Sequence, residues 1–246
     1  MLGALPADGL PYCGPAPVAG EIWQSWNLDP VLIAVLALTV FLWERNNQGT
    51  PAQRNAFRAG MTILAIAFIS PLCALSSGLF AVRSLHHIVL VAIVAPLLGY
   101  AIRGRGFPGA GAAVALHSLV FWFWHLPAAY GAALSSDLVY WLMQLSLLGS
   151  GVVFWSALYR SRALSGEVAA LATVMTQMGL LGALLTFAPD ALYAPHFFTT
   201  ALYSLSPLQD QQLAGLIMWV ASVPLYGIAA LPLLRRWFAQ VQEAAA

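Results

Sequence analysis

There is no lysine in this sequence: all ten basic residues are arginine, set against nine acidic ones. That excludes chemistry built on a primary amine, including a Schiff base to retinal or pyridoxal phosphate and the lysine of a phosphate-binding loop. Charge of either sign is scarce, at 8% of residues, where a soluble domain carries roughly 25%. No basic run is present to suggest nucleic acid. Cysteine is limited to Cys13 and Cys73, and neither a C-x-x-C nor an H-x-x-x-H spacing occurs. No dense metal or redox motif is therefore written into the chain.

What is present is hydrophobic: 61% of the 246 residues. Seven apolar segments can be read, at about 27–44, 58–76, 84–102, 108–126, 138–159, 168–188 and 212–234, each near the roughly 20 residues needed to cross hydrocarbon. Trp23, Trp26 and Trp43 flank the first, like interfacial anchors. Arg45, Arg54, Arg58, Arg103, Arg105, Arg160, Arg162, Arg235 and Arg236 fall on one side of a seven-span arrangement, and Arg83 alone on the other. The positive-inside rule makes the arginine-rich side cytoplasmic. The expected fold is thus an all-α, polytopic membrane protein, a seven-transmembrane-helix bundle with the N-terminus outside and the C-terminus inside. Residues 1–26 lack a basic start and a continuous apolar core, so they read as an irregular outer segment rather than a signal peptide. The transmembrane domain covers 27–236 and a cytoplasmic tail 237–246.

The chemistry-bearing residues gather on the outer side of this topology. His86 and His87 lie near the outer end of the third segment, and His125 at the outer end of the fourth, with His117 deeper. Cys73 falls in the outer third of the second segment, and Met175 and Met178 lie on the sixth. Gln209 to Gln212 form a polar run at the threshold of the seventh segment, with Asp210 inside it. Polar groups at that depth cost free energy unless they meet partners, so they mark a candidate site. Imidazole and thiolate suit copper, and thioether suits Cu(I) in particular. His87, His125, His86, His117, Cys73, Met178 and Asp210 are therefore the candidate metal ligands.

Each also has a plainer use. Met178 can be core filler, and His117 can bond across helices. Cys13 and Cys73 can be a disulfide or be unrelated. Asp210 can be a helix cap. His196, in an outer loop, reads as solvated. Met175, Gly179 and Gly182 share one helix face, and Gln211, Ala214, Gly215 and Met218 share another. Small residues let helices approach closely, so these two stripes can face each other.

The stretch Ser206-Pro207-Leu208-Gln209-Asp210-Gln211-Gln212 to Trp219 resembles the signature of the multi-spanning CtaG-type cytochrome c oxidase assembly factors. Trp26-Asn27-Leu28-Asp29-Pro30, His87-Ile88-Val89-Leu90 with Ala95-Pro96-Leu97-Leu98, and Trp124-His125-Leu126-Pro127 with Tyr130 resemble further family patterns, as do Phe154-Trp155 and Leu192-Tyr193. Order and spacing agree together along nearly the whole chain. The resemblance implies a non-enzymatic assembly factor for a haem-copper oxidase in the bacterial inner membrane. It would assist copper insertion into the catalytic subunit from the periplasmic side, supplied by a periplasmic copper donor. Two departures stand out: Arg83 and Met143-Gln144 occupy positions where many relatives carry a histidine and a Glu-His pair. The alternatives are a copper or small-solute transporter and a haem-binding membrane protein. No chain of polar groups reaches the inner face to favour the first, and the histidines are too concentrated on one side to favour the second.

Overall fold

The structure, a computed structural model, describes residues 11–46, 49–102, 109–161 and 164–245. Arg103, Arg105, Arg162 and Asp8 lie outside the described residues. Among the described residues the regular structure is helical throughout.

Helix α1 (Pro30–Asn46) starts where the Asp29 carboxylate accepts the Val31 N–H at 2.8 Å, satisfying a donor the helix cannot. Leu32 is its one buried side chain, while Val31, Val35, Leu38 and Phe41 are each more than half exposed. The exposed face of this helix is apolar enough to meet lipid. It leans on α2 (Pro51–Ile69) through Trp43 stacked on Phe57 at 4.2 Å and a two-pronged ion pair, Arg58 to Glu44, at 2.8 and 2.9 Å. α2 opens on a capping box, Thr50 with Gln53, and Pro51 in the first turn.

Prolines then break two apolar stretches. α2 ends at Ser70-Pro71 and the chain turns 50° into α3 (Leu72–Gly78). α5 (Ala110–Trp124) turns 73° into α6 (Pro127–Leu134). Pro127 forces Leu126 into an extended conformation, φ −68° and ψ 130°, and His125 is left on the corner.

Between these bends runs α4 (Phe80–Ala101). It is the central helix: 67% of its apolar window is buried, against 28–44% for the other long helices. Pro96 cannot donate a backbone hydrogen bond, and a π turn at Val89–Val94 precedes it. There the Val91 carbonyl accepts from the indole Nε1–H of Trp155 at 3.0 Å. Trp155 lies on α7 (Asp137–Arg160) and is fully buried. Gly99 on α4 makes this close approach possible, since a Cβ there would meet the Trp155 Cβ at 2.9 Å and the Ser156 nitrogen at 3.1 Å.

α8 (Leu164–Phe187) and α9 (Pro207–Ala229) complete the bundle. Their two small-residue stripes face each other as the sequence spacing suggests. A Cβ on Gly182 would lie 2.7 Å from the Gly215 carbonyl oxygen, and one on Gly215 would lie 2.5 Å from that of Gly182. A further helix, α10 (Leu231–Ala245), takes in most of the stretch read as the tail from residue 237. It is held to the bundle by Arg236, which bonds the Tyr159 carbonyl at 3.1 Å and pairs with Glu167.

Among the described residues, four helices are long and apolar enough to cross a membrane, and up to six if each bent pair is one span, against the seven spans read in the sequence. At 17 residues α1 stands apart from these, at the lower edge of the ~17–25 residues a span requires.

The α8–α9 contact yields a direct expectation. Gly215→Ala forces the two backbones apart at a cost of about 1–3 kcal/mol, and the thermal midpoint in detergent falls. Gly179→Ala, whose added methyl meets only Trp219 at 3.8 Å, leaves it in place. Equal midpoints for the two variants would refute the packing.

Candidate functional site: a buried polar layer at one end of the bundle

The first turn of α4 is capped from another helix. Asp210 on α9 is fully buried, and its carboxylate accepts the Phe80 N–H at 2.7 Å and the Ala81 N–H at 3.0 Å. α9 itself is capped by Ser206 with Gln209 in a capping box. Asp210 is therefore a cap, but of the wrong helix for a purely local reading. Gln211 beside it ties the α8–α9 connection, accepting the Leu192 N–H at 2.7 Å and donating to the Asp190 carbonyl at 3.2 Å.

One turn below that cap lie Arg83, His86 and His87, all buried. His87 meets His125 edge to face, with ring centroids 5.7 Å apart. The corner before Pro127 explains how His125 is set. Its backbone N–H bonds Trp122 rather than Phe121, so the Phe121 carbonyl is free to bond His125 Nδ1 at 2.7 Å. A carbonyl only accepts, so Nδ1 carries the proton and Nε2 keeps its lone pair. Among the described residues, His125 Nε2 and both ring nitrogens of His87 have no hydrogen-bond partner. Buried nitrogens without partners are costly.

The other expected ligands do not join the pair. His86 packs edge-on against Phe68 at 4.9 Å, with its ring centroid 6.3 Å from that of His87. His117 bonds Ser150 Oγ at 3.0 Å and stacks on Phe154. It lines a small cavity with Met178 and Phe121. Phe121, 4.5 Å from the His125 ring, separates that layer from His125. Cys73 is not a free thiol: it is bonded to Cys13 in a disulfide, which removes it as a ligand in this state. Among the described residues, no three of His, Cys, Asp and Glu come together as a metal cage.

His196 is a correction. It is 2% exposed rather than solvated, and its Nε2 lies 2.7 Å from the Tyr130 hydroxyl. Burial, with the charge of Arg83 adding to it, pushes its imidazole down to about 4, so it is neutral at physiological pH. Phe80, Tyr130 and Tyr193 stack around it, and the Tyr193 hydroxyl donates to the His125 carbonyl at 2.8 Å. The loop that carries His196 thus packs over the histidine pair.

Arg83 is the residue that spacing alone passes over. It is fully buried, lies over the Tyr140 ring at 5.2 Å, and approaches the Tyr140 hydroxyl with Nη1 at 3.5 Å. The available signal was its isolation, as the one arginine placed on the acidic side of the topology.

A polytopic helical protein whose polar side chains are buried together at one end of the bundle is the class these observations define. Residues 110–240, just over half of the chain, match the family described as cytochrome c oxidase caa3 assembly factor (Caa3_CtaG), and the chain belongs to that family. The matched range includes His117, His125, Met178, His196 and Asp210, while Arg83, His86 and His87 precede it. No curated protein and no solved structure matches the chain.

Asp210→Asn tests the cap. An amide presents one acceptor oxygen where the carboxylate presents two, so one buried N–H of Phe80 or Ala81 loses its partner. A loss of about 1–3 kcal/mol is expected, seen as a lower denaturation midpoint with helix content retained. Ser206→Ala, which touches only the cap of α9, should cost about 1 kcal/mol. If Asp210→Asn is the milder of the two, the inter-helix cap does not hold α4.

Proposed function

We propose that this protein helps mature the catalytic subunit of a haem-copper oxidase, with Cu(I) as the cargo it passes on. Membership of the assembly-factor family supports the oxidase as partner. The observation that carries the copper reading is the His87–His125 pair: two buried imidazoles from different helices, edge to face at 5.7 Å, with His125 Nε2 and both His87 ring nitrogens unpartnered among the described residues. Cu(I) accepts few ligands, and imidazole is among those it takes. A carrier must also release its metal, which a two-nitrogen site permits more readily than a closed cage. The residues present therefore fit the cargo. His87 and His125 hold it, the His125 Nδ1–H bond to Phe121 keeps the ring aimed, and Tyr130 of α6 with the loop that carries Tyr193 and His196 limits access of water. No bond in a substrate is made or broken, so the role is not enzymatic.

The arginine pattern supports seven spans, counting α1 and each bent pair as one, with the N-terminus and the histidine layer on the periplasmic side of a bacterial inner membrane. Copper then arrives from that side, from a periplasmic donor. Reporter fusions after Arg105 and Arg162 should read cytoplasm, and those after Asp137 and Ala201 periplasm. A reversed pattern would overturn the orientation.

The copper reading is tested by titrating purified protein with Cu(I) against a chromogenic chelator. His87→Ala and His125→Ala should each weaken binding by at least about tenfold, as loss of one of two ligands demands. Both variants should accumulate normally. Undiminished binding in both would make the pair structural.

A further inference from the structure

The strap Pro11–Pro17 is fastened to the same end of the bundle at three points. The Tyr12 hydroxyl donates to Asp29. The Tyr203 hydroxyl donates to the Pro17 carbonyl at 2.6 Å. Cys13 is bonded to Cys73 at the start of α3, with a Cα–Cα distance of 5.3 Å. Both sulfurs approach one hydroxyl, that of Tyr140, at 3.3 Å from Cys13 and 3.9 Å from Cys73. The Asn27 amide lies 3.8 Å from the Cys73 sulfur. On the far side of Tyr140 stands Arg83, with its Nη1 on the same oxygen.

The charge of Arg83 has no counterpart here. The guanidinium is fully buried, its Nε and Nη2 have no hydrogen-bond partner, and no carboxylate lies within ion-pair distance of it among the described residues. Asp210, the nearest candidate by position, gives both oxygens to the first turn of α4. A buried cation without an anion costs several kcal/mol. The disulfide is neutral and offers it nothing. Its reduced form differs: two thiolates holding one Cu(I) carry a net charge of minus one, which the arginine cancels.

We infer that Cys13 and Cys73 form a redox-gated site for a soft monovalent cation, Cu(I). Reduced, the pair holds the ion between two thiolates beside Arg83; oxidised, it is the disulfide and holds none. The reductant is a dithiol at the outer face. One of its thiolates attacks the sulfur of Cys13, a residue that keeps 8% of its surface exposed where Cys73 keeps none, and Cys73 leaves as thiolate. Its second thiol then resolves the mixed disulfide. Two electrons and two protons pass to the cysteines, and the reductant leaves as its own disulfide. Cu(I) binding then releases the two protons. Thiolate selects Cu(I) over harder ions. Asn27 and Tyr140 donate to the sulfurs, and Arg83 neutralises the complex.

This inference takes the identity of the metal from the copper reading above but shares no ligand with it. The test is Cu(I) titration of the full chain in detergent, before and after reduction with a phosphine that is then removed. Reduction should add one Cu(I) per chain, with a new ultraviolet sulfur-to-copper charge-transfer band. Cys13→Ser/Cys73→Ser should add none, and His87→Ala/His125→Ala should keep the added ion. Arg83→Gln should weaken the added site on the order of a hundredfold. If oxidised protein binds no copper but reduction adds one ion, the histidine reading fails and this one stands. No added ion on reduction, or an added ion in the double serine variant, overturns it. So does reduced protein that loses its elution volume, because the bridge is then a structural staple.

Discussion

The Asp210 carboxylate, shared between the Phe80 and Ala81 N–H groups, is the contact on which the polar end of the bundle depends. It joins the seventh apolar segment to the third at the depth where α4 begins. Its hydrogen bonds neutralise the positive end of the α4 dipole in a place water does not reach. The direction in which Arg83, His86 and His87 leave α4 follows from where that first turn is pinned. The loop before α9 is fixed by the same short segment, because neighbouring Gln211 bonds the Asp190 and Leu192 backbone. Two structural tasks thus fall on consecutive residues of one polar run.

Burying Arg83, His86, His87 and His125 at one end of the bundle is expensive. The surroundings are correspondingly rigid. Phe80 and Tyr193 stack at 3.7 Å, Tyr130 bonds His196, and Trp155 locks the π turn of α4 to α7. Among the described residues, Arg83, His86, His87, His125 and His196 each keep at least one buried side-chain atom without a hydrogen-bond partner.

The bends are part of the same design. A straight fourth segment would direct the His125 backbone N–H to the Phe121 carbonyl. The Pro127 corner frees that carbonyl for the imidazole instead, which fixes the tautomer. The Pro71 bend tilts α3 so that Cys73 meets the strap. Both departures from regular helix thus set the position of one side chain, His125 or Cys73, and neither is visible as more than a proline in the sequence.

Much was legible in the sequence by itself. Hydropathy and the arginine pattern determined an all-helical membrane class, because backbone polar groups in lipid must be satisfied within helices. Motif order determined the family. The stripes ending at Gly182 and Gly215 foretold a close helix contact, because small residues at helical spacing have few other uses. Tertiary structure alone decided the rest. It chose disulfide over thiol for Cys13 and Cys73, buried His196, and placed Asp210 on a helix 130 residues from its own position in the chain. It separated His117 and Met178 from the His87–His125 pair. Periodicity tells which face of a helix a residue occupies, but hydrogen bonds and bridges depend on which foreign element that face meets, and this is a property of packing.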